Sequence, residues 1–172
     1  MLRSQINIQY YKHPYAEFIL GSYGDHLCLC DFRYRTLRNI VDKRIQRGLN
    51  ANFIEKNDVV LEQAINQLEE FFLGYRRTFN MSLLYIGTEF QKSVWRNLMA
   101  VKYGDTTTYR ELAQAMGNKN TVRAVAWANS ANALAIIVPC HRVIGSNNEL
   151  VGYGGGLRLK RQLLALEQGF QF

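Results

Sequence analysis

Cys140, His141 and Arg142 follow one another directly after Pro139, at the end of a charge-free run, 134–138. Together they suit one kind of chemistry, nucleophilic attack by sulfur. A thiol attacks only as its thiolate, and a neighbouring imidazole and a cationic guanidinium both favour the ionised form. The run Leu134, Ala135, Ile136, Ile137, Val138 has no polar residue and follows Asn132 closely, which predicts a buried strand. Pro139 has no N–H for a ladder and biases Val138 to extended backbone, so it should end that strand. Cys140 and His141 then fall on a turn at the edge of a core, where adjacent side chains can be aimed into one pocket. The plainer alternative is that Cys140 is one more buried small apolar residue, as most free cysteines are.

A second thiol-bearing stretch invites a different chemistry. His26, Cys28 and Cys30 alternate, so a strand would put them on one face, as metal ligands need. A fourth ligand would have to come from elsewhere, such as His13, and no C-x-x-C spacing supports the site. Two small apolar cysteines on a partly buried strand are expected here, and no metal.

The elements that must position these groups fall into two halves. In 1–86, strands are expected at 6–11, 16–23 and 26–32, with a turn at Tyr23-Gly24-Asp25. A helix is predicted over 36–47, carrying Leu37, Ile40, Val41 and Ile45 at helical spacing with Gly48 as its stop. A stronger helical pattern covers 58–73 before Gly74, and 78–86 returns to strand. This half carries no convergent polar groups and reads as scaffold.

The second half, 87–172, is more informative. Thr88-Glu89-Phe90-Gln91 and Thr108-Tyr109-Arg110-Glu111 are capping boxes, each opening a helix. The second of these runs through Met116 to Gly117, and a short link with Asn118 and Asn120 leads to another short helix over 121–130. Helix, Gly-containing turn, helix is a helix-turn-helix pattern, though an ordinary αα-hairpin has the same outline. The second helix is rich in alanine with one charge, Arg123. That composition suits close approach to a narrow minor groove, or tight packing in a core. Gly152-Tyr153-Gly154-Gly155-Gly156 would let backbone approach a ligand, but it is not a phosphate-binding loop. The last helix, 157–168, ends near Glu167, which is either solvated or a carboxylate that orients His141.

The 172 residues, 48% of them hydrophobic, suffice for one compact domain or two small ones. A net charge of +7 favours a polyanionic partner. No apolar N-terminal stretch of signal or membrane-spanning length is seen, and three cysteines imply reduced thiols, so a cytoplasmic location without membrane attachment is expected.

Pro139-Cys140-His141-Arg142-Val143, with Gly152-Tyr153 and Gly155-Gly156-Leu157 after it, resembles the active-site signature of the O6-alkylguanine-DNA alkyltransferases. The likeness takes in Phe90-Gln91, Val94-Trp95, Gly104, Tyr109, Leu112-Ala113, Arg123-Ala124-Val125, Asn132 and Glu167. It implies an α/β (α+β) protein of two small domains: a ribonuclease-H-like α/β domain, 1–86, and a winged helix-turn-helix-like domain with the reactive cysteine, 87–172. It implies direct-reversal repair of O6-alkylguanine, with O4-alkylthymine beside it, in duplex DNA bound through the minor groove by a monomer without cofactor. The base is flipped out, Cys140 takes the alkyl group irreversibly, His141 removes the thiol proton through a water, Glu167 orients His141, and Asn132 supports the turn. Arg123 fills the vacated stack and Tyr109 presses the backbone phosphate and bonds the flipped base. Thr121, Val122 and Ala124 face the groove, the Val143 carbonyl reads the guanine, and Tyr153 and Gly154 wall the pocket. Four positions depart from the family's usual pattern: Ala126 for glycine, Trp127 for a small residue, Ala133 for proline, and Gly154 where some members have serine. Two other readings remain open on the sequence, a helix-turn-helix regulator of transcription without chemistry and a cysteine hydrolase.

Overall fold

The computed structural model describes residues 4–169. The chain divides into two compact units, Met1–Gly87 and Thr88–Phe172. The first holds a four-stranded sheet built from β1 (Ser4–Lys12), β2 (Glu17–Tyr23), β3 (His26–Phe32) and β4 (Ala51–Glu55), with helices α1 (Arg38–Leu49) and α2 (Val59–Phe72). Strand order is β3-β2-β1-β4: the first three form an antiparallel meander and β4 returns parallel to β1. Leu61, Ala64, Leu68, Phe71 and Phe72 form the buried side of α2, which packs against β2 and β3. Asp58 caps α2 by accepting from the Leu61 N–H at 2.9 Å. The same carboxylate accepts from Asn7 Nδ2 and from Ser22 Oγ.

Three expectations for this half need correction. The helix predicted from 36 begins at Arg38, with Leu37 in left-handed backbone and both Leu37 and Ile40 exposed. Gly48 does not stop the helix but lies within it. A Cβ there would stand 2.4 Å from Ile86 Cγ2, so the glycine is a point of close approach, and Asn50 makes the left-handed cap instead. The strand expected at 78–86 is irregular chain that touches β3 through one bridge, Leu27 to Leu83.

Cys28 and Cys30 are buried on β3, and burial raises both thiols, Cys28 to about 12. His26 pairs with Asp25, while His13 stacks on Phe72 at 4.0 Å between ring centroids. Among the described residues, no three His, Cys, Asp or Glu side chains gather as a metal site requires.

The second unit contains α3 (Glu89–Leu98), β5 (Thr107–Thr108), α4 (Tyr109–Ala115), α5 (Val122–Ser130), β6 (Val143–Ile144) and α6 (Leu157–Glu167). Both capping boxes form as expected, at Thr88 and Thr108. Gly117, at φ +87°, ends the turn after α4 in the left-handed region that costs glycine little. Trp95 on α3 donates its indole N–H to the Ala128 carbonyl of α5 at 2.8 Å, which ties these helices together. Short strands β5 and β6 pair in parallel, joining the start of α4 to the chain just past Arg142. No helix among the described residues is long and apolar enough to cross a membrane.

Candidate active site

The run before Cys140 is buried as expected, but it is a tight turn and not a strand. Ile136 takes φ +70°, an outlier for a β-branched residue, and the Val138 N–H bonds back to the Leu134 carbonyl at 2.8 Å. A buried turn must satisfy its backbone without a ladder, and the Asn132 side chain does so. Its Oδ1 accepts from Leu134 N–H at 2.9 Å and its Nδ2 donates to the Val138 carbonyl at 3.0 Å. The same Nδ2 lies 3.2 Å from Cys140 Sγ and donates to it. Pro139, at φ −80° and ψ 60°, is the centre of an inverse γ-turn closed by Cys140 N–H to the Val138 carbonyl at 2.8 Å. A 3-10 turn, Cys140–Arg142, follows and runs into β6. The proline therefore shapes a turn already under way.

His141 is fully buried, and its Nε2 lies 2.6 Å from Glu167 Oε1. Arg142 was expected to favour the Cys140 thiolate. Its guanidinium is instead committed to Glu167, with Nε 2.9 Å from Oε2 and Nη2 2.9 Å from Oε1, and Nη1 donates to the Val101 carbonyl at 2.6 Å. The Gly104 N–H adds a 3.3 Å bond to Glu167 Oε2. Burial pushes the Glu167 carboxyl up, but the bonds from His141 and the Arg142 fork outweigh it and hold it down at about 2. Burial pushes His141 the other way, below its ordinary value, and the attraction of Glu167 only partly opposes that. A neutral imidazole against an ionised carboxylate must carry its proton on Nε2. Nδ1 is then the lone-pair nitrogen, and it is buried with no hydrogen-bond partner among the described residues.

Sequence reasoning missed Lys160. It is fully buried on α6, donates to the Val151 carbonyl at 2.7 Å, and is brought down to about 8, chiefly by burial, with the charge of Cys140 opposing. Its signal was in the helical spacing: Lys160, Leu163, Leu164 and Glu167 occupy one stripe at i, i+3, i+4 and i+7. Burial also raises the Tyr109 phenol, helped by the charge of Cys140, while a long 3.5 Å bond from Asn129 Nδ2 acts against it. Tyr153 sets its ring 6.4 Å from that of His141, and Gly154 lies exposed on the turn before α6. Cys140, His141, Asn132, Glu167, Lys160, Tyr109 and Tyr153 thus form one neighbourhood, with the buried backbone of Val143 leaving it in β6. Arg123 and Ala124 are on the exposed side of α5, and Thr121 and Val122 are half-buried at its start.

Comparison with known proteins gives one consistent picture. Residues 89–169 match the family described as 6-O-methylguanine DNA methyltransferase, DNA binding domain. A methylated-DNA–protein-cysteine methyltransferase of Methanosarcina acetivorans is 50% identical over 112 residues, covering 65% of this chain and 72% of the relative. That of Mycobacterium leprae is 49% identical over 155 residues, covering 90% and 88%. Among solved structures, the Mycobacterium tuberculosis O6-methylguanine methyltransferase superposes with a TM-score of 0.80 at 34% identity, over 96% of this chain and 94% of that one. An OGT of the same organism in complex with DNA matches equally well, at TM-score 0.80 and 34% identity over 96% and 93%.

Proposed function

The chain belongs to the methylated-DNA–protein-cysteine methyltransferase family, and from that premise we propose how its residues carry out the repair. It restores alkylated DNA by direct reversal, moving the alkyl group onto its own cysteine. Cys140 is the acceptor. Its sulfur attacks the carbon on guanine O6, the S–C bond forming as the C–O6 bond breaks. The thiol proton passes through a water to His141 Nδ1, whose lone pair has no hydrogen-bond partner among the described residues. The electron pair left on the purine is steadied by the Tyr109 hydroxyl, and the purine anion becomes guanine by taking one proton from water, while His141 returns the thiol's proton to water. Asn132 holds the sulfur in line and donates to it as charge develops. Glu167, itself held by Arg142, fixes the His141 tautomer.

Stacked bases hide the O6 substituent, so the damaged base must leave the duplex, at a cost of a few kcal/mol. Arg123, exposed on α5, fills the gap in the stack, with Ala124, Thr121 and Val122 against the minor groove. The Val143 carbonyl reads the guanine edge, while Tyr153 and Gly154 close the pocket, which also admits O4-alkylthymine. Nothing in this scheme calls for a second copy or a cofactor. Work on chromosomal DNA puts the protein in a reducing cytoplasm, where a free thiol persists.

One observation carries this reading: the buried Arg142–Glu167–His141 chain that ends in a bare Nδ1 one residue from Cys140. The test is to incubate the protein with duplex containing O6-methylguanine, weigh it intact and map the modified peptide. One methyl replacing one hydrogen, on Cys140 alone and at most once per chain, is expected. An unchanged mass, or substrate consumed beyond one equivalent, overturns the proposal.

A further inference from the structure

Trp127 is the feature of α5 that the scheme leaves unused. Its indole is 78% exposed, the only large apolar group on a helix side otherwise made of Arg123, Ala124 and Ser130. It cannot fold back into the core, because the opposite side of α5 is already anchored by Val125, Ala128 and Asn129, with Trp95 bonded to the Ala128 carbonyl. Lone exposed apolar residues are ordinary on protein surfaces. This one stands one turn from Arg123 on the same face, on a chain of net charge +7, within the stretch that matches a DNA-binding domain.

We infer that Trp127 is a second DNA-gripping side chain, packing its indole along deoxyribose in the groove beside the point where Arg123 enters. Four residues of helix rise about 6 Å. That distance lets the indole reach sugars flanking the flipped nucleotide. A flat apolar ring against sugars reads no sequence and releases no counterions. Its share of the affinity therefore survives salt, unlike the phosphate contacts of the basic side chains. The inference rests on the proposed function and adds to it a contact that steadies the strand flanking the lesion.

The protein's two tryptophans make the test direct, since Trp95 is 3% exposed and held by its indole N–H. Undamaged duplex is titrated into the parent and into Trp127→Gln, following tryptophan emission and, with labelled DNA, anisotropy at several salt concentrations. Duplex should quench the parent's emission and leave the variant's unmoved. The variant should bind about tenfold more weakly at every salt concentration, the order of loss expected from the apolar area one indole face removes from water. Its slope against salt should equal the parent's, and so should its melting temperature, because the replaced ring is exposed. Trp127→Phe should recover part of the lost affinity. Equal affinity of parent and Trp127→Gln, with no quench in the parent, overturns the inference and leaves the proposed function standing. A parent that binds no duplex overturns both.

Discussion

The same residue types occur twice in this chain, with opposite outcomes. Near the start of β3, Asp25, His26 and Cys28 lie within four positions; in the second unit, Cys140 adjoins His141, which meets Glu167. Cys28 and Cys140 are both buried, at 1% and 6% exposure. What differs is the sense of the bond at sulfur. Cys28 Sγ donates to the Gly21 carbonyl at 3.5 Å, an arrangement that rewards keeping the proton. Cys140 Sγ accepts from Asn132 Nδ2, which rewards losing it. The histidines differ in the same spirit. His26 meets Asp25 in water, with the two side chains 43% and 94% exposed, whereas His141 and Glu167 are both sealed from it. Burial alone silences a thiol. Burial with donors and an oriented base is the setting of the proposed nucleophile.

The comparison breaks most visibly at the sulfurs themselves. Cys140→Ser should abolish transfer, by more than about 10³-fold, because a hydroxyl is far harder to deprotonate in the same place. Cys28→Ser and Cys30→Ser should still take up one methyl by intact mass, with melting temperature lowered by a buried, poorly paired hydroxyl. Iodoacetamide should likewise label Cys140 in the folded protein and reach the β3 pair only after denaturation. Loss of transfer in a folded Cys28→Ser protein would erase the distinction.

The imidazoles come next. Glu167→Gln keeps the shape but leaves Arg142 without its counter-charge and His141 without its tautomer lock, so single-turnover rates should fall on the order of 10²-fold. Asp25→Asn should leave the rate as it is. The same substitution has a pH signature. Glu167 is held at about 2, below the ordinary carboxylate range, so it stabilises the fold fully above that range. That stabilisation drains away as pH falls towards about 2. The gap in melting temperature between parent and Glu167→Gln should therefore be widest near neutrality and narrow on acidification from about pH 4. A gap that widens in acid would assign the stabilisation to another group.

Asn132→Ala should have the mildest effect of the three. It orphans the Leu134 N–H and leaves the Val138 carbonyl with only its bond from Cys140 N–H, at about 1–3 kcal/mol in chemical denaturation, and slows transfer by loosening the sulfur. Asn132→Asp would separate the two jobs. It can still accept from Leu134 N–H, yet it sets a negative charge where Nδ2 now donates to Cys140.

What the sequence disclosed follows from how local each signal is. The capping boxes at Thr88 and Thr108 depend on four consecutive residues, and both formed as read. Glu167 could be picked out as a partner for His141 only as one alternative, since helix spacing says which side a residue faces but not what it meets. The turn at 134–138 was misread because an apolar run announces burial and is silent on who satisfies its backbone. Here the turn's own backbone bonds do so together with one asparagine just outside the run. Strand β4, with the sequence Ala-Asn-Phe-Ile-Glu, has no alternation to reveal it. The fork of Arg142 on Glu167 escaped notice because its partner lies 25 residues away, and adjacency in sequence suggested Cys140 instead.

That separation bears on how the protein is born. Arg142 reaches back 41 residues to the Val101 carbonyl, and His141 waits for a carboxylate 26 residues further on. In a chain made N-terminus first, Cys140 is in place before Glu167 is added. Until α6 packs, His141 lacks the Glu167 contact that fixes its tautomer. On the proposed mechanism, Cys140 therefore gains its oriented base only once α6 has been made and packed.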